Sequence, residues 1–452
     1  MRLPACEYLA SHRLPLVLVL LGMPLLARAE NWPQWRGPFS NGSAAAAAAG
    51  LPEAVDPATA KWVAAMPGAS HATPIVWGER VFVTSTDPAS KGLLALCVNA
   101  ADGKIRWQQR LGDEIKAPQN NGATPSAVTD GKLVWFLFGS GDLAALDMDG
   151  KPLWQRNLVA EYGNFCIQFG YSSSPLLWQG RLYVQILRRP KPYRGAAGTD
   201  QPLESLILAI DPLTGKTLWQ HVRNSAAVDE SLESYSSPVP LENPGRNELL
   251  IQGGDCLSGH DPATGAELWR LDYNPERATI WRLIPSPVSM GDLIVATKPR
   301  GGPMFALKAG GSGALRPDAV AWTYDERTSD SGTPLVYQGL IYVLQSDKSD
   351  PFVRGNKSSP GIFLLVIEPA TGKEVGRCKL AKGGAWRTSP TGGDGKIYVM
   401  SEEGEVVVVA AGPTGKILSR ADYADGPACA TIAAANGCLY IRTASKLTCI
   451  GK

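Results

Sequence analysis

One eleven-residue stretch, Ala209 to Trp219, constrains this chain more than any other. It reads A-I-D-P-L-T-G-K-T-L-W, and G-H-D-P-A-T-G-A-E-L-W follows fifty positions later, over Gly259 to Trp269. Fainter copies lie at Asn99 to Trp107, Leu146 to Trp154, Ile367 to Gly376 and Ala410 to Ser419. Self-similarity at this period means an array of like supersecondary units, each too small to bury its apolar surface alone. Within a copy, Asp211 or Asp261 can bond the backbone of its own turn, and Gly215 or Gly265 supplies a positive φ. Trp107, Trp154, Trp219 and Trp269 are then expected to pack between neighbouring units, a structural rather than a chemical role.

The same rhythm runs through the chain from Ser70. Each unit opens with a small polar residue and usually a proline: Thr73-Pro74, Thr124-Pro125, Ser174-Pro175, Ser237-Pro238, Ser286-Pro287, Thr333-Pro334, Ser389-Pro390 and a degraded Ala430-Thr431. A short apolar strand follows, then a Gly turn and a strand rich in aromatic and β-branched residues, such as Arg181-Leu182-Tyr183-Val184. A third strand precedes the Asp turn, and a fourth ends in Trp. Short alternating segments bounded by turn residues predict antiparallel strands. Eight starts of four strands predict an all-β, eight-bladed β-propeller over residues 61–452. Seven blades is the runner-up, if the fifth unit, interrupted by Gly310 to Arg316, is not a blade. The last unit runs out after Leu447-Thr448-Cys449-Ile450, so Ala60 to Ala64 is expected to supply its fourth strand and leave no free edge.

Residues 1–29 read as a cleaved export signal, with an apolar run from Leu14 to Leu26 and an A-x-A site ending at Ala29. That run is short for a membrane anchor, which needs roughly 20 residues. No Cys follows it at the cleavage point, so no lipid anchor is expected. Of 44 cationic and 42 acidic residues, the signal carries three and one, so the remainder is balanced. Nucleic-acid partners, which want a basic excess, are not expected. Residues 30–60, opening Asn31-Trp32-Pro33-Gln34-Trp35-Arg36-Gly37-Pro38, read as an extended arm held on the body by its two Trp. Seven Cys remain after the signal, with no C-x-x-C, haem or zinc spacing. Cys438 and Cys449 are the best disulfide pair, across a hairpin turning at Thr443-Ala444.

The D-x-x-T-G-x-x-x-W copies at Asp211 and Asp261 resemble the PQQ-like repeat propellers, a superfamily that includes the quinoprotein alcohol dehydrogenases and an outer-membrane assembly propeller lipoprotein. The opening W-P-Q-W-R-G-P and the ending from Tyr440 to Gly451 look like a secreted subgroup. The resemblance covers nearly all of the chain after the signal and implies the propeller fold. For an enzyme it would imply a vicinal Cys-Cys pair, carboxylate and amide ligands to calcium, a catalytic Asp and a flat Trp beneath the quinone. There is no Cys-Cys here; Asp330 and Asn121 could serve as carboxylate and amide, with Trp281 or Trp386 as the floor.

In a four-stranded meander, successive connections alternate between two faces. The Asp turns therefore share one face with the first-to-second turns. The long segments, including Gly112 to Asn121, Ala160 to Tyr171, Arg188 to Gln201 and Asn274 to Ile284, fall on the other, which is the expected binding face. Residues just before each inner strand should ring its centre: His71, Asn120, Asn121, Tyr171, Tyr235, Arg282, Asp330, Arg387 and Cys429, with Trp281 and Trp386 nearby. Such a mouth would suit a planar or anionic small ligand or a protein partner, or would merely fill a solvated channel. No cofactor is expected, with PQQ and calcium as the alternative. The run from Arg188 to Arg194 reads as a solvated loop. Only three His follow the signal, with no metalloprotease or triad pattern.

Overall fold

The computed structural model describes Met1 and residues 30–45, 49–192, 202–345 and 361–451; the expected export signal and the distal end of the basic run lie outside the described residues. Eight four-stranded antiparallel blades form, each of strands consecutive in the sequence save the fifth, which an inserted strand interrupts, and the last, which the N-terminal strand completes. Blade 1 comprises Ile75–Trp77, Arg80–Asp87, Gly92–Asn99 and Ile105–Asp113. Inner strands at Val128–Thr129, Leu176–Trp178, Val239–Leu241, Val288–Met290, Leu335–Tyr337, Thr391–Gly393 and Ala433–Ala435 begin blades 2 to 8. The fifth unit is a complete blade, so the count is eight. Its interruption serves another end: Gly313–Leu315 pairs in parallel with the outer strand of blade 4, Trp269 opposite Gly313. Blade 8 is completed by Trp62–Ala65, antiparallel to Lys446–Gly451 with Trp62 opposite Cys449. Among the described residues no helix is long and apolar enough to cross a membrane.

Middle strands carry unbroken buried runs such as Leu133–Leu137 and Leu206–Ile210, since both sheet faces press on neighbouring blades. Outer strands alternate, as in Thr217–Val222, because one face meets water. The Asp turns then lock each blade to the one before it. Asp211 Oδ1 accepts from the backbone N–H of Leu213 and Thr214, at 2.9 and 2.8 Å. At Gly215, φ is +71°, and a Cβ there would lie 2.7 Å from the indole of Trp154 in the preceding blade. The Trp154 indole N–H donates to Pro212 O at 2.9 Å. Trp62, Trp107 and Trp219 repeat this contact on the turns holding Gly103, Gly150 and Gly265.

Two seams depart from the pattern as the sequence indicates. Gly376 stands where a Trp would be, and Pro413 of blade 7 fills the space, 2.2 Å from where a Cβ would sit. Ser419 instead donates to Glu53 O, and Leu51 and Val55 of the arm are buried nearby. Trp322 was not read as a member of the series, because the insertion before it erases the Asp turn. It nevertheless docks on Gly372 of blade 6 and donates to Pro369 O at 2.7 Å.

A second belt joins the blades at the centre. The backbone N–H of Thr73 donates to Ser126 Oγ, Ser126 to Ser174, Ser174 to Ser237 and Ser237 to Ser286, at 2.8–3.0 Å. The chain continues from Ser286 to Thr333, Thr333 to Ser389 and Ser389 to Thr431. Each unit therefore opens on Ser or Thr because that hydroxyl satisfies an otherwise stranded N–H one blade earlier.

The arm lies across the opposite end of the central channel. Trp32 exchanges both backbone hydrogen bonds with Val76, Pro33 O accepts from Thr129, Asn41 O accepts from Val336, and Gly42 O accepts from Gly392. The arm thus touches blades 1, 2, 6 and 7. No disulfide joins the cysteines among the described residues; on the hairpin Cys438 stands opposite Gly451 and Cys449 opposite Tyr440, so the candidate pair is diagonal rather than opposite.

Candidate functional site

Closure of one end by the arm turns the channel into a cup that opens on the long-loop face. Its cavity is about 210 Å³ and takes at least one lining residue from every blade. Of the residues singled out in the sequence, His71, Asn120, Tyr235, Arg282, Arg387 and Cys429 line it. Five others lie outside the lining. Tyr171 turns into the core, stacked 4.3 Å from Phe165 with its hydroxyl donating to Gln185 O. Asn121 caps its own loop through Ala123 N–H, and Trp386 is buried in the core between blades 6 and 7. Trp281 is half-buried and contributes nothing to the lining. Asp330 acts at one remove, accepting from Arg282 at 2.9 Å.

The aromatic residue that does reach the floor is Trp35, carried in by the arm. The sequence marks it only as a residue holding the arm on the body, since nothing local says that an extended arm will cross the channel. Gln119 and Phe169 also enter the lining, and the Arg282 guanidinium sits 5.6 Å over the Phe169 ring.

The rim charges are paired. Arg282 meets Asp330 and Glu230, Arg300 also meets Glu230, and Arg387 meets Glu402 at 2.9 Å. Arg189 meets Glu233, which also accepts from the Tyr235 hydroxyl. Burial and that carboxylate together hold the Tyr235 phenol far above its ordinary pKa, so it remains a donor. His71 bonds Asn120 Oδ1 at 3.0 Å; burial lowers its pKa, and Arg387 and Arg442 add to the effect. The basic run is not a solvated loop at its start, for Arg188 is buried and donates to four backbone carbonyls between Tyr162 and Glu204. Among the described residues no Asp or Glu lines the cup. Among the described residues no group of three acidic, His or Cys side chains could hold a metal ion.

A family model described as outer membrane protein assembly factor BamB matches residues 33–186. Two polyvinylalcohol dehydrogenases are similar in sequence: one from Pseudomonas sp, 27% identical over 165 residues, and one from Sphingopyxis sp. (strain 113P3), 25% over 235 residues. The matches cover 35% and 51% of this chain but only 24% and 33% of those relatives. Among solved structures, BamB from Moraxella catarrhalis aligns with a TM-score of 0.59 at 16% identity, covering 86% of this chain and 95% of that one. A europium-containing methanol dehydrogenase aligns at 0.66 and 10% identity, covering 92% and 90%. Quinohemoprotein alcohol dehydrogenase from Comamonas testosteroni aligns at 0.63 and 13%, covering 93% and 80%. At these identities the structural likenesses speak to fold alone. Repeat, blade count and sequence relatives agree in direction: the chain is an eight-bladed β-propeller similar to the PQQ-like repeat propellers.

Proposed function

We propose that this protein is an exported binding or scaffold module whose partner, a protein or a small ligand, engages the long-loop face at the mouth of the cup. The observation that carries this reading is a one-ended cavity to which every blade contributes, with Arg282 and Arg387 held in place at its rim by ion pairs. Concave sites of this kind, mounted on a rigid scaffold, are where propeller-like folds bind. Arg282→Ala combined with Arg387→Ala should abolish capture of partners from the exported fraction by the purified protein. Unchanged capture of every partner would show that the face is misassigned. Residues 1–29 act in this reading as the export signal, cut after Ala29 with no lipid attached, which intact-mass spectrometry of the exported protein checks directly.

A second reading, a PQQ-dependent dehydrogenase oxidising an alcohol or a sugar, draws on the dehydrogenase relatives. The cup fits that group poorly. Calcium wants several oxygen ligands with carboxylates among them, whereas no carboxylate lines the cup and Asp330 is bound to Arg282. Titration with pyrroloquinoline quinone and calcium separates the readings. A rise in melting temperature together with dye-linked alcohol oxidation would establish the enzyme and displace the binding module.

A further inference from the structure

We propose that the waist of the cup is an oxyanion receptor, taking the carboxylate or phosphate head of a small organic anion against a ring of hydroxyl donors above Arg36. This rests on the cup being the binding site. The first support is the hydroxyl belt. Thr73, Ser126, Ser174, Ser237, Thr333, Ser389 and Thr431 all line the cavity. All but Thr73 accept a backbone N–H from the preceding blade, which occupies a lone pair and fixes each oxygen in the wall. None of the seven donates to a protein acceptor among the described residues, so each hydroxyl hydrogen can turn toward the cavity. Converging donors complement an anion's oxygens, and the lining among the described residues offers them no carboxylate, only hydroxyl oxygens and the amide oxygens of residues such as Gln119 and Asn120.

The second support is Arg36, fully buried one residue below the lining. Its guanidinium donates to Pro334 O at 2.7 Å, to Pro390 O at 2.8 Å and to Asn41 O at 3.2 Å, and its Nε has no partner. Pro334 and Pro390 directly follow the belt residues Thr333 and Ser389. Among the described residues no carboxylate meets it, and burial lowers its pKa, to about 9. A buried charge without a counter-ion is costly, and an anion at the waist would supply one. The rim arginines are already neutralised by Asp330, Glu230 and Glu402, while the floor is not. The unbalanced positive charge therefore lies deep, and it favours an anion at the waist over one at the mouth. Trp35 beneath and Phe169 and Tyr235 at the sides leave apolar surface for the body of such a ligand.

Isothermal titration of the exported protein with inorganic phosphate, with benzoate and with neutral benzamide tests this. Benzoate or phosphate should bind once per chain, whichever binds naming the head group, and benzamide should bind at least tenfold more weakly than the better anion. Arg36→Gln should weaken the anion at least tenfold. Because Arg36 is buried, the decision also rests on Ser237→Ala with Ser389→Ala, expected to weaken it severalfold. Ser237→Thr, a residue that the belt already uses elsewhere, should change little. Heat from neither anion, or full affinity in a folded Arg36→Gln or double-alanine protein, would overturn the oxyanion receptor. Benzamide binding as tightly as benzoate, and lost on replacing Arg282 and Arg387, would overturn it too while leaving the cup as the binding site.

Discussion

Gly265 and Gly291 both have positive φ, +77° and +60°, yet they should respond differently to a methyl group. At Gly291 nothing lies within 4 Å of an added Cβ, so Gly291→Ala should cost only the left-handed backbone penalty, about 1–2 kcal/mol. At Gly265 the Cβ would lie 2.6 Å from the Trp219 indole, so Gly265→Ala must also open a seam between blades and should lower the urea midpoint at least twice as far. His260 offers a pH test. Gly265 O can only accept, so Nδ1 carries the hydrogen, and Nε2 accepts from Ser258 at 2.9 Å. Burial, first among the causes, lowers its pKa to about 3 from an unfolded value near 6.5. With the folded value depressed, its contribution is whole above pH 6.5 and is lost as the pH falls from there towards 3. At about 1.4 kcal/mol per unit, the upper bound is several kcal/mol. Denaturant midpoints at pH 7, 5 and 4 should fall steeply in the parent and less in His260→Gln.

Among the elements, the arm departs furthest from its appearance in the sequence. Pro-broken and short, it has no periodicity to show what it meets, and only its two Trp signal burial. In the fold Trp32 is fully buried against blade 1 and Trp35 becomes the floor of the cup. Trp32→Ala should cost about 3–5 kcal/mol for a large buried aromatic, at the low end because its indole N–H has no partner to lose. Chemical denaturation measures it. The insertion in the fifth unit was legible as an interruption but not as Gly313–Leu315, a strand on blade 4, because its pairing partner lies some forty residues back. The Ser/Thr starts, by contrast, were plain in the sequence. Their hydroxyls make sense only once the blades are closed in a ring and each N–H finds its acceptor next door.

For the molecule as a whole, closure by Trp62–Ala65 is the decisive contact, since it joins the first described strand to the last and covers the edge that Lys446–Gly451 would otherwise expose. Removing residues up to Ala65 should leave Lys446–Gly451 as an exposed edge and release the Trp62 contact on Gly103. Light scattering should then show association at concentrations where the full chain remains monodisperse. The repeat by itself determined the all-β class, the four-stranded unit, the closing strand and the seam role of Asp211, Gly215 and Trp219, because each follows from local turn chemistry repeated at a fixed period. The choice of eight blades over seven needed the structure to show the fifth unit complete. It also determined which face carries the long loops, since strand parity needs no coordinates. Only the tertiary structure decided which side chains reach the axis. Tyr171 and Trp386 turn into the core, Asp330 turns to Arg282, and Trp35 with Arg36 arrive from the far end of the channel. The sequence positions a residue at the rim, but packing against neighbouring blades selects its rotamer, and those neighbours lie fifty or more residues away.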